Sequence, residues 1–248
     1  MIFKGKVAVV TGTSRGIGRA IVEEFVSLGA NVACISKNAD LLNRLQAELG
    51  ASQDQLKTYS CDVSNPELVN TTIKQIVADF GKIDILVNNA GVKGQDKLAM
   101  QTSDSDWTTV LNTNLNGAFY ISRAVYKYMV KNKCGRIINL SSILGTTGRA
   151  GQIAYTTSKA GLIGMTKTLA QELAARGVTC NAILPGYIDT DMNADLPETL
   201  KETLVSRIPV KRYGEVKEVA KLAAFLAGPD SAYITGQSFL IDGGLSLS

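Results

Sequence analysis

Short runs of apolar and β-branched residues recur along the whole chain, and longer segments with the spacing of amphipathic helices lie between them. The interiors of the short runs are apolar without strict alternation, which is typical of parallel strands that are covered on both faces. This pattern predicts seven strands, at residues 7–12, 31–36, 56–63, 83–91, 135–142, 178–186 and 237–244.

The segments between these runs have helical periodicity. Residues 18–29 place Ile21, Val22, Phe25 and Leu28 on one face, and Gly29 can end that helix. Strands and helices alternate from end to end, so we predict an α/β fold with a doubly wound, seven-stranded parallel sheet and helices on both faces. No linker or repeat divides the chain, so residues 1–248 are predicted to form a single domain. Further helices are predicted at residues 65–81, 104–132, 151–176 and 215–228.

Composition narrows the possible functions. The net charge is only +4 and no dense block of Lys and Arg occurs, so we expect no nucleic-acid partner. No run of 18 or more apolar residues occurs, so no membrane span is predicted. The four cysteines are widely spaced, which favours reduced thiols and a cytoplasmic location. An organellar origin with the transit peptide removed stays open.

The chain contains no histidine. This excludes a Ser-His-Asp triad, a Cys-His nucleophile and every histidine-ligated metal site, and we expect no metal. Any acid–base chemistry must therefore use Tyr, Lys, Asp, Glu or Cys side chains.

Tyr155 and Lys159 form one candidate for that chemistry. They are four residues apart in a segment predicted to be helical, so they lie one turn apart on the same face. An ammonium beside a phenol favours the phenolate and lowers the phenol pKa from its usual value of about 10. Such a pair can act as an acid–base group near neutral pH. The alternative is a helix of small residues carrying one amphipathic tyrosine and one snorkelling lysine.

A glycine-rich turn, TGTSRGIG at residues 11–18, follows the first strand and opens the first helix. Gly12, Gly16 and Gly18 allow a tight turn and the close approach of backbone amides to a phosphate. The spacing is G-x-x-x-G-x-G instead of the common G-x-G-x-x-G, and a plain turn is the alternative. We interpret this segment as a nucleotide site.

The second strand ends at Ser36, which carries no charge to repel a phosphate. Lys37 and Arg15 can place positive charge beside it, as binding of a 2′-phosphate requires. This pattern favours NADP over NAD. The alternative is two solvated basic residues.

Polar residues also follow the later strands. Asp62 could accept a hydrogen bond from an adenine amino group, or it could cap the helix that begins near Asn65. Asn88 is at least as consistent with a structural role as with ligand contact. Ser142 ends the fifth strand, thirteen residues before Tyr155.

Taken together, these motifs resemble the classical short-chain dehydrogenase/reductase family over essentially the whole chain. They are TGTSRGIG (11–18), CDV (61–63), NNAG (88–91), Asn114, Ser142, YTTSK (155–159) and PGYIDT (185–190). The resemblance implies a Rossmann-type fold that binds NADP(H). It also implies that Tyr155 is the general acid, that Lys159 lowers its pKa and binds the nicotinamide ribose, that Ser142 holds the substrate oxygen, and that Asn114 anchors a proton-relay water. The cofactor-binding residues implied are Gly12, Ser14, Arg15, Ile17, Gly18, Ser36, Lys37, Asp62, Val63, Asn89, Gly91, Tyr155, Lys159, Ile188 and Thr190.

Within this family, residues 135–192 and 212–244 look very like the 3-oxoacyl-[acyl-carrier-protein] reductases of fatty acid biosynthesis. That likeness implies NADPH-dependent reduction of a 3-oxoacyl thioester and a homotetramer. It also implies that the acidic carrier protein docks on Lys133 and Arg176. Lys131 and Lys133 could instead simply complement the end of a helix. Three further residues would extend the basic patch, namely Lys127, Lys131 and Arg136.

The segment Val92–Asp96 is one residue longer than is usual in those reductases, and residues 187–209 are expected to form a mobile substrate lid. Two other functions therefore stay open. One is an NADP-dependent oxidoreductase of another substrate class, such as acetoacetyl-CoA, a steroid or a polyol. The other is a nucleotide-sensing module that performs no chemistry.

Overall fold

The computed structural model describes residues 1–52, 54–190 and 198–247, without the side chains of Glu198 and Leu200. In this part of the chain, seven parallel strands form one sheet in the order β3-β2-β1-β4-β5-β6-β7. The order reverses between β1 and β4, which is where ligands bind in sheets of this type. The strands are β1 (Val7–Thr11), β2 (Asn31–Ser36), β3 (Leu56–Ser60), β4 (Ile85–Asn88), β5 (Gly135–Leu140), β6 (Val178–Pro185) and β7 (Ser238–Ile241).

Helices cover both faces of the sheet, so the predicted doubly wound α/β architecture is confirmed. One core lies under α1 and α9, and the other lies under α3, α5 and α7. The central strands β1, β4 and β6 are fully buried between these two layers, which explains their continuous apolar sequences. The helices are α1 (Gly16–Ser27), α2 (Ala39–Leu49), α3 (Pro66–Phe80), α4 (Asp104–Leu111), α5 (Gly117–Asn132), α6 (Leu144–Thr147), α7 (Ile153–Leu173), α8 (Glu198–Arg207) and α9 (Val216–Ala227).

Local signals explain where α3 begins and ends. The Asn65 side chain accepts hydrogen bonds from the amides of Glu67 and Leu68, and Pro66 occupies the first turn. Gly81 ends the helix in the left-handed conformation, with φ of 80°. Asn65 is therefore the cap, and the alternative that Asp62 caps this helix is wrong.

The structure differs from the predicted elements at several boundaries. Strands predicted at residues 56–63 and 83–91 end at Ser60 and Asn88, so their polar motifs lie in the loops that follow. The helix predicted at residues 104–132 is interrupted by a π-helical turn at Asn112–Asn116. The predicted helices do not include α2, α6 or α8.

Three further properties of the described residues limit the chemistry. No helix among them is long and apolar enough to cross a membrane. None of their His, Cys, Asp and Glu side chains forms a group of three or more that could hold a metal ion. All four cysteines carry free thiols.

Candidate active site

The glycine-rich turn packs closely against the loop after β4. Gly12 and Gly16 have φ of 70° and 56°, which other residues rarely adopt. A Cβ atom on Gly18 would overlap both the Gly12 carbonyl oxygen and the Asn89 amide. That amide donates hydrogen bonds to the carbonyls of Thr11 and Gly12, at 2.9 and 3.0 Å. Gly18 is therefore required by packing within the protein, a reason that the sequence alone did not show.

The first turn of α1 fits the diphosphate of a dinucleotide. Arg15 precedes the helix in an extended conformation, and neither a side-chain cap nor an acidic residue satisfies the first amides. These N–H groups lie at the positive end of the helix dipole, which favours an anion. Ser14, Arg15 and Ile17 line the adjoining cleft.

The far end of this cleft contains an ion pair between two predicted cofactor-binding residues. Lys37 Nζ lies 2.8 Å from Asp62 Oδ2. The pair raises the pKa of Lys37 and lowers the pKa of Asp62. Asp62 Oδ1 also accepts hydrogen bonds from the amide and hydroxyl of Ser64. Lys37 is thus held by a carboxylate and is not simply solvated.

The two asparagines that follow β4 have separate roles. Asn88 is 4% exposed, and its amide donates to Ser122 Oγ and Asn139 Oδ1 inside the core. This is the structural role that the sequence left open. Asn89, in contrast, supports the glycine-rich turn and lines the cleft.

Asn114 lies behind the cleft wall, in the π-helical turn between α4 and α5. Its Oδ1 accepts from the amide of Val92 at 2.8 Å, and its Nδ2 donates to the carbonyl of Val92 and to Ser158 Oγ. A Cβ atom on Gly91 would lie 3.3 Å from Asn114 Oδ1 and 3.5 Å from Lys159 Nζ. The Asn114 side chain therefore fixes the loop that borders the lysine.

Ser142, Tyr155 and Lys159 all line the same cleft. Helix α7 places the Lys159 ammonium 5.6 Å from the centre of the Tyr155 ring. Ser142 Oγ accepts a hydrogen bond from the amide of Leu144 at 3.2 Å, which leaves its own proton free to donate. Lys159 Nζ donates to the carbonyl of Leu140 at 2.7 Å.

The pKa shifts in this group differ from the sequence-based expectation. Burial raises the pKa of the Tyr155 phenol, and the neighbouring Ser142 hydroxyl only partly opposes this. Burial also lowers the pKa of Lys159 to about 8. The predicted lowering of the phenol pKa is therefore wrong for this arrangement, because desolvation of the buried phenolate is the largest cause of the shift. A raised pKa keeps the proton on Tyr155, as a general acid requires.

The loop segment Val92–Asp96, which we expect to be longer than usual, lies at the edge of the cleft. Lys93 lines the cleft and pairs with Asp96 at 2.7 Å. The other oxygen of Asp96 accepts from Gln152 Nε2, also at 2.7 Å, just before α7 begins. The segment is thus attached to the helix that carries Tyr155.

The cleft has a volume of about 1000 Å³. It is lined by all fifteen predicted cofactor-binding residues and by Ser142, whereas Asn114 lies behind it. The expected lid falls partly on residues 191–197, outside the described residues. Sequence reasoning missed the polar side of α4, although its spacing of threonines and asparagine offered a signal. Additional lining residues include Cys61, Lys93, Thr108, Thr109, Asn112, Thr113, Leu140 and Ser141.

Lys133 and Arg176 are neighbours in the fold, but they lie far from this cleft. Gly177 packs against the carbonyl of Lys133, and its own carbonyl accepts from the amide of Gly135. Both basic residues thus lie at the amino ends of β5 and β6, whereas the cleft is at the carboxyl ends. Arg136 donates to the carbonyls of Gly135 and Gly228 and is partly buried, so it adds little to a docking patch.

Known proteins resemble this chain over nearly its whole length. A family model described as enoyl-(acyl carrier protein) reductase matches residues 12–246. The 3-oxoacyl-[acyl-carrier-protein] reductases FabG of Haemophilus influenzae and Escherichia coli are 44% and 41% identical, each over 99% of this chain and at least 99% of the relative. The chain belongs to the short-chain dehydrogenase/reductase family.

Two further proteins match this chain over nearly its full length. The FabG reductase of Thermotoga maritima is 42% identical over 99% of both chains. The crystal structure of NAD+-bound xylitol dehydrogenase superposes with a TM-score of 0.93 and 33% identity, and covers 98% of this chain and 100% of the other. As a short-chain dehydrogenase/reductase, the chain is an oxidoreductase that uses a nicotinamide dinucleotide.

Proposed function

We propose that the protein reduces the 3-oxo group of an acyl thioester on acyl carrier protein to the 3-hydroxy group, with NADPH, in fatty acid biosynthesis. The observation that carries the proposal is the shared cleft of Ser142, Tyr155 and Lys159 beside the glycine-rich turn. Identities of 41–44% with 3-oxoacyl-[acyl-carrier-protein] reductases, over nearly the full length, support this substrate class.

The site residues then have separate roles in the proposed reduction. A nicotinamide dinucleotide held in this cleft would supply the hydride for the reduction. Tyr155 donates its hydroxyl proton to the carbonyl oxygen, and Ser142 donates a hydrogen bond to that oxygen while it becomes negative. The Lys159 ammonium stabilises the phenolate that Tyr155 becomes, because it lies 5.6 Å from the ring centre. Asn114 holds the loop that borders the lysine through its hydrogen bonds to the backbone of Val92.

NADP(H) as the specific cofactor is part of this proposal. Ser36 carries no charge, and Arg15 and Lys37 both line the cleft. These residues can hold a 2′-phosphate by hydrogen bonds and positive charge. Asp62 competes with the phosphate for Lys37, so the Lys37–Asp62 ion pair must open before Lys37 can bind the phosphate.

Docking of an acidic carrier protein on Lys133 and Arg176, a homotetramer and a cytoplasmic location complete the proposal. Exposed apolar side chains on α4 and α5 support association between subunits, and they include Trp107, Phe119 and Tyr126. The four free thiols support a reducing compartment.

A substrate comparison tests the proposed function. NADPH oxidation is followed by absorbance with acetoacetyl-carrier protein, acetoacetyl-CoA, a 2-enoyl thioester, a steroid ketone and a keto sugar. We expect the highest kcat/KM for acetoacetyl-carrier protein. A preference for an unrelated ketone would overturn the substrate class, and a preference for the enoyl thioester would mean reduction of a carbon–carbon double bond, as the description of the family model suggests.

The Tyr155→Phe variant separates catalysis from nucleotide sensing. It removes only the hydroxyl, so we expect NADPH binding to stay within about threefold and turnover to fall by about 10²–10⁴. Calorimetry measures binding and absorbance measures turnover. Undiminished turnover in this variant would contradict the assigned general acid, and NADPH binding without turnover in the wild type would favour a sensor.

A further inference from the structure

The end of β5 binds Lys159 at two points. Lys159 Nζ donates to the carbonyl of Leu140, and Ser141 Oγ donates to the carbonyl of Lys159, both at 2.7 Å. Two consecutive residues of one strand end thus hold the head group and the backbone of the same lysine. We refer to Leu140, Ser141 and Lys159 together as the lysine clasp.

The clasp lies in a closely packed region, where small movements are restricted. Ser141 and Lys159 are 4% and 5% exposed. The amide of Ser141 donates to the carbonyl of Ile183 on β6, which fixes the strand end itself. A Cβ atom on Gly145 would lie only 3.0 Å from the Lys159 carbonyl oxygen, so helix α6 approaches the same backbone atom.

The Ser141 hydroxyl does not contact the reacting atoms in the proposed reaction. Its hydrogen bond goes to a helical carbonyl that already lies in the α7 ladder, so the bond adds little to helix formation itself. Its effect is to join α7 to the strand end from which Ser142 follows. The relative position of Ser142, Tyr155 and Lys159 depends on that junction.

We infer that Ser141 is a positioning residue that sets the location of the Lys159 ammonium relative to Tyr155 and Ser142. The inference rests on the proposed function, because Lys159 matters for catalysis only if Tyr155 transfers a proton. Without the Ser141 hydroxyl, the junction of α7 with the strand end loses one hydrogen bond, and we expect the hydrogen bond from Lys159 Nζ to Leu140 to weaken. A carbonyl acceptor favours the charged ammonium, so its withdrawal lowers the lysine pKa.

The surroundings of Lys159 allow a change in its pKa to be measured. The Tyr155 ring comes from its own helix, the Leu140 carbonyl from β5, and Gly91 and Asn114 from the loop after β4 and the π-helical turn. Tyr155 is the titratable group among these neighbours, and its raised pKa keeps it neutral when Lys159 titrates. Burial alone accounts for the lowered lysine pKa.

The test is a titration of Lys159 by NMR in protein labelled with ¹³C at the lysine ε-carbon. The Lys159 signal is identified by its loss in Lys159→Arg. We expect the wild-type midpoint near 8. In Ser141→Ala it should move to lower pH by about half a unit or more. Ser141→Thr keeps the hydroxyl and should keep the wild-type midpoint. If Ser141→Ala does not fold, Ser141→Cys retains the volume with a weaker donor and should shift in the same direction.

Ser231→Ala is the matched control. Ser231 is fully buried and donates to the carbonyls of Leu226 and Gly228, but it does not line the cleft. We expect kcat to fall about tenfold in Ser141→Ala and to stay within about twofold of the wild type in Ser231→Ala. An unshifted Lys159 midpoint in Ser141→Ala would overturn the inference. The titration needs no substrate, so failure of the proposed function would appear separately, as absence of turnover in the wild type.

Discussion

At the scale of single residues, the ammonium of Lys159 lies where burial makes charge unfavourable. Its pKa of about 8 is within the range in which enzymes are assayed, whereas the raised pKa of Tyr155 keeps the phenol protonated there. The lysine is charged below its pKa and becomes neutral above it. A neutral amine cannot stabilise the phenolate, so the proposed reduction depends on pH through Lys159.

We therefore predict that kcat/KM for reduction is constant below pH 8 and falls as pH rises through about 8. Steady-state rates measured from pH 6 to 10 test this fall in kcat/KM. Lys159→Arg is the control, since a guanidinium keeps its charge throughout this range. The activity of Lys159→Arg should be lower than that of the wild type, and its kcat/KM should not fall as pH rises through about 8. If kcat/KM of Lys159→Arg falls over the same pH range, the pH dependence belongs to another group.

Cofactor preference also depends on single residues. Lys37→Asp places a negative charge beside the proposed 2′-phosphate, and we expect the NADPH preference over NADH to fall by about tenfold or more, which corresponds to about 1.4 kcal/mol. Asp62→Asn removes the carboxylate that holds Lys37, so it should increase the preference. Lys217→Asp is the control, because Lys217 is also an exposed, ion-paired lysine but does not line the cleft. Unchanged ratios of kcat/KM in both cleft variants would contradict the proposed role of Lys37.

At the scale of elements, the strands and the long helices could be predicted from sequence because their patterns are local. The central strands β1, β4 and β6 are buried on both faces, and α3 has a cap, a proline and a terminal glycine within its own segment. The π-helical turn could not be predicted this way. Within this turn the Asn114 side chain forms hydrogen bonds with the backbone of Val92, 22 residues earlier in the chain, a contact that no local pattern reveals.

The candidate site follows the same division. The spacing of Tyr155 and Lys159 correctly predicted that they lie together, because both belong to one helix. The sign of the phenol pKa shift could not be predicted, because it depends on how deeply the folded chain buries the ring. The ion pair between Lys37 and Asp62 could not be predicted from the sequence either, because it joins the ends of two different strands.

The junction of β1 and α1 gives a prediction about an element. Gly18→Ala would press a methyl group against Gly12 and Asn89, so we expect the free energy of unfolding to fall by about 1–3 kcal/mol and dinucleotide affinity to fall with it. Gly164→Ala is the matched control, because Gly164 is a helical glycine with open space around it. That variant should be more stable by up to about 1 kcal/mol. Urea denaturation and calorimetry measure both effects, and equal stability of the two variants would contradict the packing argument.

At the scale of the whole molecule, the sheet separates the proposed docking patch from the cleft. Lys133 and Arg176 precede β5 and β6, and the cleft follows the other ends of these strands. Strand β6 has eight residues, so it spans roughly 25 Å. A carrier protein docked on the patch of one subunit is therefore on the wrong side for the cleft of that subunit. In the proposed tetramer, a carrier protein bound to the patch of one subunit would deliver its acyl group to the cleft of a neighbouring subunit.

Mixed oligomers test this arrangement. Arg176→Glu subunits keep an intact cleft, and Tyr155→Phe subunits keep an intact patch. Each variant alone should reduce acetoacetyl-carrier protein poorly, while Arg176→Glu should still reduce acetoacetyl-CoA. When the two are co-expressed and purified as mixed oligomers, the carrier protein can dock on a Tyr155→Phe subunit and deliver its acyl group to an Arg176→Glu neighbour. We expect activity on acetoacetyl-carrier protein several-fold above the sum of the separate variants, with no such gain on acetoacetyl-CoA. If patch and cleft belonged to the same subunit, mixing would restore nothing, because no subunit would carry both in working form.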